Sequence, residues 1–199
     1  MPNRDYSMET NDLDFPTSCI NTPIGNESDE KRKSEKVISQ DGFWDWQITI
    51  GNDRFVAKHF LVNYGGCCYY KLIKNGNAII EMHPGYAVSY PNEGLWNIEG
   101  KSVWELNGFT NVIVVDGVDY NQKYQLDGSY LPYEIKGKLI YMVKKNGTYH
   151  IVYDDKIVGP EFDDIQISYC CSLASVFYGS GQYWFLGRRA GTKYVVSIQ

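Results

Sequence analysis

The sequence predicts an all-β chain: tandem β-meander repeats forming a small or partial β-propeller-like array, with little or no helix. Three observations predict it. From Phe43 onward, short runs rich in β-branched and aromatic residues follow one another, separated by Gly, Asn, Asp and Pro. No long window carries a helical apolar period with helix caps. The chain also repeats itself: "GKLIYMVKKNGTYHIVYDD" (Gly137–Asp155) and "GQYWFLGRRAGTKYVVSIQ" (Gly181–Gln199) agree in character almost position by position.

Taken in order, residues 1–40 stand apart. They hold two aromatics, Tyr6 and Phe15, against 28 in residues 41–199. Their "NTPIGNESDEKRKSEK" is polar and without period, so it cannot bury enough apolar surface to offset its ordering entropy. A disordered or loosely docked polar tail is expected. Its basic run Lys31–Lys33 is flanked by acids and reads as a solvated charge run before it reads as an address signal.

Residues 41–199 read as the β-repeat domain. "FWDWQITI" (43–50) alternates. "RFVAKHFLV", "CCYYKLI", "NAIIEM", "SVWELNG", "NVIVVDG", "KLIYMV", "YHIVYD", "YWFLG" and "KYVVSI" follow as strands, and "DDIQISYCCSLASVFY" (163–178) reads as two strands rather than a helix. Asn-Gly between apolar runs is the strongest short hairpin signal, because a type I′ turn needs φ > 0 at both central residues. It occurs at Asn75-Gly76, Asn107-Gly108 and Asn146-Gly147, with Ala190-Gly191 as a fourth version. Hairpin units therefore start near 66, 100, 137 and 181, at intervals of 34, 37 and 44 residues. Periods of that size belong to arrays whose units bury their faces against neighbours. The unit from Gly137 continues into "KIVGPEFDDI", where Pro160 belongs at a strand start or edge because it has no N–H to donate. The last unit stops where that strand would begin. Its outer strand is expected to come from Phe43–Ile50, joining chain start to chain end.

The stretch "NGTYHIVYDDKIVGPEFDDI" resembles the β-propeller-like repeats of bacterial proteins, and more loosely WG repeats, whose units end near P-x-[YF]-D-x-[IV]. The matching positions are Lys145, Gly147, Tyr149, Asp155, Lys156, Gly159, Pro160, Phe162 and Asp163. The match is good over about 137–199 and weak back to about 43. The resemblance implies architecture, and it carries over neither catalytic residues nor a common ligand.

The chemistry-bearing residues are sparse. A net charge of -5 and a pI near 5.2 argue against a nucleic-acid partner, which wants a basic stripe. No apolar run approaches a membrane span, and the first residues lack the apolar core of a leader, so the expected compartment is cytoplasmic. The five cysteines are Cys19 and the pairs Cys67-Cys68 and Cys170-Cys171. Without ligand spacing they read as structural thiols. The sequons at Asn26 and Asn146 matter only in a secreted chain. His59, His83 and His150 have no Cys or acid at ligand spacing. Glu81 and His83 share a strand face without a partner nucleophile. Asp154-Asp155 and Asp163-Asp164 fall where turns are needed. Trp44, Trp46, Trp96, Trp104 and Trp184 read as packing between units before they read as a ligand shelf. Adjacent tyrosines such as Tyr69-Tyr70 must place one ring outward.

These observations lead to a non-enzymatic binding or scaffold module, with protein as the partner class, glycan as a second candidate, and neither nucleic acid nor membrane. Catalytic, cofactor and metal residues are expected to be none, and the binding residues are not assignable from sequence. The alternatives are a hydrolase or lyase using acidic residues in a propeller pocket, and a small inhibitor or immunity-type protein. An enzyme should bring together at least two titratable groups with shifted pKa values, whereas a binding module should show an outward aromatic patch.

Overall fold

Among the described residues, seven two-residue turns have positive φ at both positions, the φ signs of type I′ turns: Asn75-Gly76, Glu99-Gly100, Asp116-Gly117, Lys136-Gly137, Asn146-Gly147, Asp154-Asp155 and Ala190-Gly191. Their twist matches that of the flanking strands, so each folds the chain straight back on itself. The computed structural model describes residues 8–9, 35–38, 44–61, 68–82, 92–106, 110–165, 176–179 and 182–198. Its strands are β1 (Met8–Glu9), β2 (Glu35–Ile38), β3 (Trp44–Ile50), β4 (Asp53–Leu61), β5 (Cys68–Lys74), β6 (Asn77–Met82), β7 (Asn92–Ile98), β8 (Lys101–Leu106), β9 (Val112–Val115) and β10 (Val118–Asp119). One short helix follows, α1 (Tyr120–Tyr124), and then β11 (Gly128–Ile135), β12 (Lys138–Lys145), β13 (Thr148–Tyr153), β14 (Lys156–Phe162), β15 (Asp164–Ile165), β16 (Val176–Gly179), β17 (Gln182–Arg189) and β18 (Thr192–Ile198). The chain is all-β, as its sequence predicts.

Among the described residues four antiparallel sheets form, and the first three are meanders of chain neighbours. The first is β2-β3-β4-β5-β6, the second β10-β9-β8-β7, the third β11-β12-β13-β14. In the fourth, β17 pairs on one edge with β18 and on the other with both β15 and β16, and β18 pairs in turn with β1. The recurrent ten-residue glycine spacing has a plain cause in the third sheet. Strand β12 has eight residues and the Asn146-Gly147 turn two, so Gly137 and Gly147 close successive turns.

The repeat departs from its expected form in two respects. Asn75-Gly76 joins the third and fourth strands of its meander β3-β4-β5-β6, whereas Asn146-Gly147 joins the second and third of its own. The hairpin expected near 66 forms, as β5 and β6, but it lies one strand later in its meander than the hairpin near 137. The turns that mark a common phase are Asn75-Gly76, Asp116-Gly117 and Asp154-Asp155. In each, the first residue donates its N–H back to the second strand, to Arg54, Ser102 and Leu139 respectively, at 2.9–3.0 Å. The second is a correction and concerns closure. Phe43–Ile50 does not complete the last unit, because β3 is an inner strand with β2 on one edge and β4 on the other. Met8–Glu9 takes that place, with Met8 opposite Val196 and Glu9 opposite Val195. Of the tail expected over 1–40, Met8–Glu9 and Glu35–Ile38 are thus strands, and the rest lies outside the described residues.

The chain divides into two compact units, residues 1–30 with 133–199, and residues 31–132, so the repeat region expected over 41–199 spans both. The 31–132 unit is centred on Trp104, Tyr70, Leu72, Leu95, Phe55, Ala57 and Val114, all 4% exposed or less, with Trp46, Ile50, Ile80 and Met82 packed against them. Each such large apolar side chain contributes roughly 1.5–3 kcal/mol when fully buried. In the other unit, Phe162 and Phe185 meet edge to face with centroids 5.3 Å apart, and Tyr183 lies against Phe185 and Tyr133. Strands β8, β9 and β12 are buried on both faces over "SVWEL", "VIVV" and "LIYMV", so their apolar runs are continuous. β4 and β17 instead alternate buried with half-exposed positions, which leaves each one outward face.

Candidate functional site

The outward face of the first sheet is built by alternation. On β4, Phe55, Ala57 and His59 point into the core, so Lys58 and Phe60 point out. On β5, Tyr70 and Leu72 are fully buried, so Tyr69 and Lys71 point out. Of the Tyr69-Tyr70 pair, Tyr69 is the outward ring. The register sets Phe60 opposite Tyr69 and Lys58 opposite Lys71. The Phe60 and Tyr69 rings stack with centroids 4.8 Å apart and planes 6° apart. The Lys71 ammonium lies 5.2 Å from the Tyr69 centroid and 5.6 Å from that of Phe60.

Glu81, across from Lys71 on β6, holds that ammonium at 2.8 Å. The ion pair offsets the like charge of Lys58 directly opposite. Hydrogen bonding to Glu81 also pushes the Lys71 pKa up. Lys71 therefore stays charged and keeps its cation–π contacts with both rings. The result is a flat aromatic pair, half-buried, under a fixed cation and rimmed by a carboxylate. It can anchor a partner's side chains.

A second network ties the edge of this sheet. Asp53 pairs with Lys74 at 2.7 Å and accepts from the Asn75 side-chain amide at 2.7 Å, and the Asn75 carbonyl oxygen accepts from the Arg54 N–H at 2.8 Å. Lys74 first, and then Asn75, hold the Asp53 carboxyl below its ordinary pKa.

The buried polar groups were not legible as a set. Asp45, His59 and Tyr70 come together because β3 and β4 pair with Trp46 opposite Ala57. Asp45 accepts from the backbone N–H of His59 at 3.2 Å, and the His59 and Tyr70 rings lie 5.0 Å apart. Around α1, Asp119 caps the helix by accepting from the Gln122 N–H at 3.0 Å. The Asn121 amide donates to the Asn111 carbonyl at 2.8 Å, and the Ser129 hydroxyl accepts from the Ile113 N–H at 2.7 Å. Glu105, 3% exposed, accepts from the N–H of Leu131 at 2.7 Å and holds that residue at φ 53. In both clusters the acidic side chains accept backbone N–H groups, which is a structural use.

The other residues singled out from sequence fall as follows. His150 lies on β13 with Nε2 3.0 Å from the Thr148 hydroxyl. Glu81 is the partner of Lys71, and His83 lies outside the described residues. Asp154-Asp155 is a turn, with Lys138 3.1 Å from Asp154. Asp163 accepts from the Ala190 N–H at 2.7 Å, and Asp164 lies 3.5 Å from Arg188. Pro160 sits on β14, an edge strand. Trp104 is core, Trp46 packs on it, and Trp96 and Trp184 are half-buried. The side chain of Trp44 lies outside the described set, as do Cys19, Cys67, Cys170, Cys171, Asn26 and Asn107-Gly108. Among the described residues no three His, Cys, Asp or Glu side chains group as a metal site, and no helix is long and apolar enough to cross a membrane. Comparison of the chain with protein-family models, curated proteins and solved structures finds no match.

Proposed function

We propose that this chain is a non-enzymatic recognition module that docks a protein partner on the outward face of its first sheet. The observation that carries the reading is the Phe60–Tyr69 stack beneath Lys71, held by Glu81. Aromatic residues beside a fixed charge are what interface anchors are made of. The charge distribution supports the same reading. Among the described residues the groups with shifted pKa values, Asp53 and Lys71, are exposed and owe their shifts to ion pairs on the surface. An enzyme of the hydrolase or lyase type would instead gather such groups in a closed site. The net charge of -5 suits a partner with a basic rim. Kinship with β-propeller-like and WG-type repeat proteins, and a cytoplasmic location, complete the proposal. The first rests on Pro160, Phe162 and Asp163, and the second on five cysteines that read as structural thiols rather than as a disulfide framework.

The test compares the full chain with a Phe60→Ser/Tyr69→Ser variant as bait in the host lysate, followed by titration of the purified captured protein. The cross-strand pair is worth only about 0.2–1 kcal/mol to folding, so the variant keeps its fold. The partner is expected to bind the variant about 30-fold more weakly or worse, the effect of losing a hot spot of about 2 kcal/mol. An Ile157→Ser variant, altered on the exposed edge of the third sheet, should bind as the parent does. Equal binding by the double variant would remove this face as the site.

A further inference from the structure

We propose that Asn146-Gly147 is a site of spontaneous deamidation in the folded protein, and that Asn75-Gly76, the same dipeptide in the same kind of turn, is protected. This goes beyond the recognition reading and does not depend on it. The two turns are close to a matched pair. Both asparagines are exposed. Their φ angles are 52 and 51, and those of the following glycines 82 and 85. Glycine after asparagine removes the side chain that would shield the attacking nitrogen.

What differs is the hold on the asparagine side chain. Asn75 is clamped at both ends. Its Nδ2 donates to Asp53 Oδ1 at 2.7 Å, its Oδ1 accepts from the Arg54 N–H at 2.8 Å, and its own N–H donates to the Arg54 carbonyl at 2.9 Å. The Asn146 side chain has no hydrogen-bond partner among the described residues. Across the turn, the Thr148 hydroxyl, two residues on, donates to the Lys145 carbonyl, one residue back, at 3.1 Å.

The chemistry needs only water. The Gly147 backbone nitrogen, losing its proton to hydroxide, attacks Asn146 Cγ. A C–N bond forms, the Cγ–NH2 bond breaks, and ammonia leaves with a proton from water. The product is a five-membered imide. Water then adds to one of its two carbonyls and opens one of the two imide C–N bonds, giving aspartate or iso-aspartate at 146. Nothing is oxidised or reduced. Attack requires the side chain to turn onto the following nitrogen while the turn opens locally. At an exposed hairpin tip that opening is easy. At Asn75 the same motion must first break the bonds to Asp53 and Arg54.

The consequence falls on the third sheet. Iso-aspartate lengthens the backbone by one atom inside a two-residue turn whose flanking pair is Lys145 opposite Thr148. The turn can no longer hold its φ-positive geometry and the β12–β13 register together. The product also carries a negative charge that the asparagine lacked.

The full-length protein is held folded in mildly alkaline buffer and sampled over time. Peptides are mapped by mass spectrometry for amide-to-acid conversion at each asparagine, with enzymatic methylation to mark iso-aspartate. A parallel sample is held in denaturant. The folded chain should convert at Asn146 while Asn75 lags by about fivefold or more, the factor that one net hydrogen bond supplies. In denaturant the two rates should converge. Asp53→Ala, which removes the Nδ2 acceptor, should raise the folded-state rate at Asn75 and leave that at Asn146 alone. The proposal is overturned if folded Asn75 converts as fast as Asn146, or if folded Asn146 stays intact while the denatured chain converts at both.

Discussion

Asp163 shows how a single residue joins two meanders. Its N–H donates to the Arg188 carbonyl at 2.8 Å, and its carboxylate accepts from the N–H of Ala190, in the turn between β17 and β18, at 2.7 Å. One residue earlier, Phe162 is 1% exposed and lies over Gly187, where a Cβ would come within 2.6 Å of its ring. Asp163→Ala should therefore cost about 1 kcal/mol, the net value of such a bond. Gly187→Ala should cost more, about 1–3 kcal/mol, through overpacking. Urea denaturation of the two variants checks both values and their order. The ion pairs carry a pH signature. Lys71 has a raised folded pKa, so its contribution is complete below the ordinary 10.5 and is lost as pH climbs through the higher folded value. Asp53 has a lowered one, so its contribution is complete above the ordinary 3.8 and is lost as pH falls through the lower folded value. Comparing the pH dependence of stability for the parent and Glu81→Gln should show the alkaline loss only in the parent. The Pro-x-Phe-Asp run was legible in the sequence as a pattern, but its purpose was not. The Gly187 gap and the Ala190 N–H that it serves lie in the next hairpin.

At the scale of the elements, turn chemistry was the most legible part of the fold. Asn75-Gly76 and Asn146-Gly147 are turns because Asn and Gly tolerate the left-handed region that a type I′ turn demands. Glu99-Gly100 and Lys136-Gly137 use the same geometry with only the glycine as a signal, Asp116-Gly117 adds the aspartate, and Asp154-Asp155 carries only the turn preference of its aspartates. The hairpins near 66 and 137 therefore share a turn but not a place in the meander: Asn-Gly marks a turn without saying which turn of the meander it is. Ala190 is the weak member. It sits at φ 48 without a polar side chain to support that conformation. Ala190→Asn should stabilise the β17–β18 hairpin by up to about 1 kcal/mol, part of the left-handed penalty, read as a higher Tm. Strand burial was legible wherever alternation survives, as on β4. It was also legible where the run is continuous, as in "LIYMV" of β12. The outward Phe60–Tyr69 stack needed the register as well, because only Phe60 opposite Tyr69 places the rings face to face.

For the whole molecule, the chain start contributes a strand to the fourth sheet. A two-residue strand such as Met8–Glu9 has no pattern to read, and it lies in a segment whose composition argues for a polar tail. It covers the β18 edge only at Val195 and Val196. The other sheets protect their outer edges by local means. Gly159-Pro160 sits on β14, a bulge lies between β5 and β6, and β10 is two residues long. Deleting residues 1–9 should therefore expose β18 and promote self-association, seen as a higher mass in light scattering after size exclusion. Adding a peptide of residues 1–13 should reverse it. A monomer after deletion would show that the edge needs no cover. Recognition by the outward face of the first sheet can be read from a hydrogen-exchange footprint of the chain with its captured partner. Slowed exchange is expected at the amides of 58–60 and 69–71 on β4 and β5, lost in the Phe60→Ser/Tyr69→Ser variant. Slowed exchange confined to other strands, with β4 and β5 unchanged, would contradict it.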